Sequence, residues 1–122
     1  MCLVYIEPWA FQALSAEDRA ALDRDSANYD DELGRRGHYI QAAALQSVST
    51  AKTVRRRGGK ATKVDSPFAE TKEVLCGFIF VDAADMDEAL KIAVVIPMAR
   101  VGSVEVRPEM AFETSRSSPS VS

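Results

Sequence analysis

Few residues of this chain have the chemistry of an active site, and their spacing narrows the choice. His38 is the only histidine, so a His pair or a multi-His metal centre within one subunit is excluded. It follows Gly37 directly, which suits a surface or helix-terminal residue, and it is kept as a candidate proton carrier. Asp65 opens the turn Asp65-Ser66-Pro67-Phe68, where an apolar neighbour would raise its pKa and make it a general acid or base. The competing reading, a turn-capping Asp that accepts a backbone N–H, is favoured. Glu105 and Arg107 share one face of a strand and either line a polar cleft or form an ion pair that orients nothing. Cys2 and Cys76 lie in apolar segments without metal-spaced partners and read as buried thiols. No Ser-His-acid spacing, phosphate loop or Gly-rich dinucleotide fingerprint is present, and neither a metal nor a cofactor is implied.

The elements that must position these groups follow from periodicity. Cys2 to Ile6 is a short run of β-formers stopped at Pro8. Ser15 with Asp18 forms a capping box, and Leu22, Ser26, Tyr29 and Leu33 share one face of a helix from Ala16 to Arg36 that Gly37 ends. Asp23, Asp30 and Asp31 are placed on the opposite, solvated face. His38 to Leu45 is a strand whose alanines, Ala42 to Ala44, leave space beside the sheet. Ala51 to Arg57 and Lys60 to Val64 flank Gly58-Gly59 and read as a hairpin. It carries Lys52, Arg55, Arg56, Arg57, Lys60 and Lys63 without an acid, and a charged, solvated edge is the preferred reading over an anion site. Val74 to Val81 has no polar alternation, as expected of a strand covered on both faces. Asp85 and Glu88 cap a second helix with a Met86, Leu90, Ala93, Val94 core stripe, ended at Pro97. Ser103 to Arg107 alternates as a last strand. Right-handed crossovers put the first strand beside Val74 to Val81, where Cys2 and Cys76 could approach.

Composition agrees with one such domain. The 122 residues are 47% hydrophobic and 27% charged, with net charge −3, and the pI is about 5.2 with mean hydropathy −0.11. No global field favours nucleic acid or an anionic membrane. The segment 76–83 resembles an RNA-binding strand at Gly77, Phe78, Phe80 and Val81 but lacks the leading base and the last aromatic. No apolar run approaches the roughly 20 residues of a membrane span, and the start lacks a basic n-region, so a cytoplasmic protein is expected.

The segment Val64-Asp65-Ser66-Pro67-Phe68-Ala69-Glu70-Thr71-Lys72-Glu73, then Gly77-Phe78, Asp85-Met86-Asp87-Glu88-Ala89, Ile96-Pro97 and Gly102-Ser103-Val104-Glu105-Val106-Arg107-Pro108, resembles the DGPF branch of the YCII-related family. Ser66 stands where that signature has Gly. The resemblance implies a ferredoxin-like split βαβ subunit, here with an inserted central hairpin and two helices on one face of an antiparallel sheet. Two subunits then pair through the sheet face into a dimeric α+β barrel. It also implies a sigma-factor-type partner by association, and a His-Asp site in a cleft. The histidine of that site lies in the first helix, where this chain has Ser26 as its nearest candidate, and a lone hydroxyl is no general base near neutral pH. Tyr5 joins His38, Glu105 and Arg107 as a weaker companion of Asp65.

The chain is therefore read as one α+β domain over 1–112 with a disordered polar tail over 113–122. Its expected role is a dimeric ligand-binding or regulatory module with a small-molecule pocket between sheet and helices. The alternative is a cofactor-free isomerase, lyase or oxygenase acting on a small aromatic or apolar acid, with Asp65 as general acid/base and Arg107 or His38 holding the anion.

Overall fold

The computed structural model describes residues 1–110, and the tail expected over 113–122 lies outside them. The order is β1 (Cys2–Ile6), α1 (Pro8–Gln12), α2 (Ala16–Arg35), β2 (Tyr39–Ala44), β3 (Thr53–Arg57), β4 (Lys60–Val64), β5 (Val74–Val81), α3 (Met86–Val94) and β6 (Gly102–Val106). Four strands form an antiparallel sheet in the order β2-β5-β1-β6, while β3 and β4 form a separate two-stranded sheet. The mixed α+β class and the pairing of β1 with β5 are as the sequence predicts. No helix among the described residues is long and apolar enough to cross a membrane.

Local chemistry explains the helix boundaries. Ser15 Oγ accepts the Asp18 N–H at 3.0 Å, and Glu17 and Asp18 occupy the positive end of α2. At the other end Gly37 takes φ +77°, and the His38 N–H donates to the Leu33 carbonyl at 2.8 Å. Asp85 Oδ1 accepts the Glu88 N–H at 2.8 Å while Glu88 Oε1 accepts the Ala84 N–H at 2.8 Å, a reciprocal cap at the start of α3. The two helices expected become three, because Pro8 does more than stop β1. Its fixed φ and missing N–H suit the first turn of α1, and Arg19 caps the Phe11 carbonyl at 3.1 Å while lying over the Phe11 ring.

Cys2 and Val4 of β1 pack with Tyr29 and Leu33 of α2, Ile92 and Ala93 of α3, Val81 and Ile96. Leu22, Tyr29 and Leu33 are buried as their spacing predicts. In α3 the expected stripe is turned. Ile92 and Ala93 face inward, while Met86, Leu90 and Val94 are 42%, 49% and 78% exposed. In so short a helix the requirement that Ile92 fill the gap against Tyr29 outweighs the stripe read from the sequence. The register pairs Cys2 with Ile79 and Val4 with Gly77, and a bulge follows Val4. Cys2 therefore does not stand across from Cys76, and both thiols are free. Because side chains alternate along a strand, Leu3, Tyr5 and Phe78 point away from this core.

The hairpin turns through Gly58 and Gly59 at φ +56° and +80°, the conformation a two-residue turn requires. No described residue other than glycine has positive φ, so Ser66 makes its turn without that conformation.

Two glycines behave oppositely. A Cβ on Gly102 would overlap the Tyr5 carbonyl oxygen and stand 2.7 Å from Ile6 Cα, whereas nothing lies within 4 Å of one on Gly34. Gly102→Ala is expected to cost about 2–3 kcal/mol and to lower Tm by roughly 10 °C. Gly34→Ala, in an exposed helix turn, should stabilise by about 0.5–1 kcal/mol. Thermal denaturation of the two variants tests both signs.

Candidate functional site

The helix-facing side of the sheet carries small residues where β2 meets β5. Ala44 pairs with Gly77 and Ala42 with Ile79, so little side-chain volume lies beneath α2 at this edge. A Cβ on Gly77 would approach the Ala43 carbonyl oxygen to 2.5 Å, so the backbones pack too closely there for any larger residue. The result is a cleft of about 190 Å³ between α2, the β2–β5 edge and the segment Ile96 to Met98.

Its polar lining comes from α2. Asp23, Ser26 and Asp30 follow one another at intervals of three and four and face the cleft together. Asp30 is half-buried there, so its assignment to the opposite, solvated face is corrected, whereas Asp23, exposed as that reading has it, also borders the cleft. Each is one residue from a core position, Leu22 or Tyr29, and the roughly 100° step of a helix leaves it on the border of the buried face. That adjacency is the signal by which both could have been found. Burial raises the Asp30 carboxyl above its ordinary value, and the neighbouring Asp31 charge raises it further. Tyr29 of α2 also lines the cleft, but its hydroxyl already donates to the Ile92 carbonyl at 2.7 Å. Burial likewise raises the Cys76 thiol, and the Cys2 thiol despite the nearby N-terminal ammonium, so neither is an activated nucleophile.

Of the six candidate site residues read from the sequence, Asp65, His38, Tyr5, Ser26, Glu105 and Arg107, only Ser26 lines this cleft. The side chain of Asp65 is 85% exposed and paired with Lys52 Nζ at 2.8 Å at the foot of the hairpin. His38 fastens three elements: its N–H closes α2, its carbonyl accepts the Asp82 N–H at 2.7 Å, and Nδ1 lies 2.8 Å from the Asp82 carbonyl. Glu88 Oε1 is 4.0 Å from the same ring nitrogen. Tyr5, Glu105 and Arg107 do come together, on the other side of the sheet. The Tyr5 hydroxyl donates to Glu105 Oε1 at 3.4 Å, and Arg107 Nη2 pairs with Glu105 Oε2 at 3.2 Å. Arg107 also borders a wider surface depression of about 610 Å³ near Asp82 and Asp85. No hydrogen bond joins Asp65 to His38 or Arg107 among the described residues. Nor do any three His, Cys, Asp or Glu residues there converge as a metal site.

A family model described as the YCII-related domain matches residues 1–113. An uncharacterized protein of Rhizobium meliloti (strain 1021) is 36% identical over 108 residues, which cover 87% of each chain.

The raised Asp30 carboxyl has a thermodynamic sign. The folded chain holds this proton to higher pH than the unfolded chain, so stability falls as pH rises from the ordinary carboxylate value to the folded one, then levels. Asp30→Asn should remove that part of the slope. Urea midpoints measured between about pH 3.5 and 7 check it, and an unchanged slope would show that Asp30 is as solvated as a free carboxylate.

Proposed function

The chain belongs to the YCII-related family, and from that membership and the geometry of the cleft we propose that it is a ligand-binding or regulatory module that holds a small molecule between sheet and α2. The observation that carries this reading is the strip of Ala42, Ala44 and Gly77 beneath Ser26 and Asp30, an apolar bed under polar groups that accept hydrogen bonds. The ligand is small, in keeping with a cleft of about 190 Å³. With Asp23 and Asp30 on its lining, the cleft favours a molecule bearing an amine or another donor over a carboxylic acid.

A cofactor-free isomerase or lyase is the second reading. It is favoured by the raised carboxyl of Asp30 in the same cleft as Ser26, and Asp30 replaces Asp65 as the proton carrier.

The subunit is read as ferredoxin-like, a view that the sheet order β2-β5-β1-β6 supports. Two subunits pair face to face through the side of the sheet that bears Leu3, Tyr5, Leu75 and Phe78. Leu75 is 42% exposed there, near the start of an apolar strand. The resulting dimer is cytoplasmic.

Thermal-shift screening of small amines and neutral aromatic molecules tests the ligand reading. A ligand at 100 times its Kd should add about 2.7 kcal/mol to wild-type stability, with the shift lost in Ala44→Leu, which fills the bed, and reduced in Asp30→Asn. Absence of any wild-type shift across amine, neutral and acid sets would end it. Turnover of a bound compound that Asp30→Asn abolishes and Asp65→Asn leaves intact identifies the enzyme instead. Light scattering at micromolar concentration should give twice the 13.3 kDa chain mass, and Phe78→Glu a monomer; a wild-type monomer contradicts the paired sheets.

A further inference from the structure

The arm formed by β3 and β4 is the part of the chain that the fold leaves without support. A two-stranded hairpin alone is marginal in water, and every residue of this one from Val54 to Val64 is exposed. It carries Arg55, Arg56, Arg57, Lys60 and Lys63 and no acid. The register sets Arg57 directly across from Lys60, with Arg55 two residues away on the same face. Like charges so placed oppose pairing of the strands. None of these five cations has an ion-pair partner among the described residues, and Lys52 at the foot of the arm is the one cation of the hairpin segment with an acid beside it. Val54 and Val64 are 64% and 48% exposed.

The complement is on α2. Its 20 residues hold seven acids against three bases. Asp25 and Glu32 are satisfied by Arg100 and Arg36, whereas Asp23, Asp30 and Asp31 have no cationic partner among the described residues. Asp23 and Asp31 are exposed. Asp30 belongs both to the cleft and, with Asp31, to a shallow groove on the outer side of the helix.

We propose that the arm of one copy docks on the Asp23, Asp30 and Asp31 strip of α2 in a second copy, so that its guanidinium groups lie over the mouth of that copy's cleft. The proposal rests on the dimer described above. The strip lies on the helix layer behind the partner's paired sheet, so the arm, whose five-residue strands extend roughly 17 Å at about 3.3 Å each, reaches it around the sheet edge rather than across the roughly 10 Å between packed sheets. A net charge of −3 and the acidic helix disfavour a nucleic acid in the same role, while the charge that matches the arm is present on the chain itself. The contact would bring to each cleft a cation from the other subunit, so occupancy of the site and assembly are coupled.

Two variants test it, Arg55→Glu/Arg57→Glu in the arm and Asp23→Lys/Asp31→Lys in the helix. Each alone should weaken dimerisation about tenfold, as several exposed pairs become repulsive. Mixed in equal amounts they should form a heterodimer with the wild-type Kd, since arm and strip are again opposite in charge in both directions. That recovery also shows that each variant is folded, and a contact within one chain would not produce it. Sedimentation equilibrium reads all three samples. A dimeric wild type whose Kd neither variant changes overturns the docked arm and leaves the paired sheets standing, whereas a monomeric wild type overturns both. Wild type retained on duplex DNA, with retention lost in the arginine variant and the dimer Kd unmoved, also overturns it.

Discussion

The hydrogen bond from the Tyr29 hydroxyl to the Ile92 carbonyl, 2.7 Å long and buried, holds the two longer helices at one spacing above the sheet. A phenol carried into an apolar core must find an acceptor or lose the stability its ring contributes. The acceptor here is in the last turn of α3, where the Ile92 carbonyl takes only a 3.3 Å bond from the Val95 N–H of its own chain and keeps a lone pair for the phenol. Leu33 and Cys2 fill the space around this bond. Nearer the β2 edge the opposing residues shrink to alanine and glycine while α2 keeps its height, and the cleft is the volume left over. The cleft thus follows from a fixed helix above and small residues below, without any residue strained to make it.

Most of the framework was legible because it rests on local chemistry. Ser15, Asp85 and Gly37 mark their helix ends by capping, and Gly58-Gly59 mark the hairpin by conformation. The apolar run from Val74 to Val81 identified an interior strand, and the crossover rule placed β1 beside it. What was not legible depended on contacts distant in sequence. Whether Val94 or Ile92 of α3 turns inward depends on Tyr29, more than sixty residues earlier. Pro8 has the same appearance whether it ends a strand or also begins a helix.

The candidate site was legible only in part, for a related reason. Asp65, His38 and Arg107 were chosen for their side-chain chemistry, and the fold uses all three at joints: the foot of the arm, the end of α2, and the rim of the sheet. Ser26 is a candidate only as the residue nearest the helix position where the family resemblance implies a histidine. Acids on an amphipathic helix usually face water, and by that rule Asp23 and Asp30 both belong to the solvated face. A wheel divides a helix into two faces, whereas a site at the mouth of a cleft is built from the residues on the border between them.

The separation of β3 and β4 from the main sheet has a consequence for how stability is read. Cooperative melting reports the unit that shares a core, and the arm shares none of it. Calorimetry or near-ultraviolet signals from Tyr29 would follow the body alone and register an intact protein even with the arm open. Amide exchange along Val54 to Val64, by contrast, depends on the arm's own small opening free energy and on whatever rests against it. One chain therefore holds two thermodynamic units of unequal size, and its unfolding temperature describes only the larger.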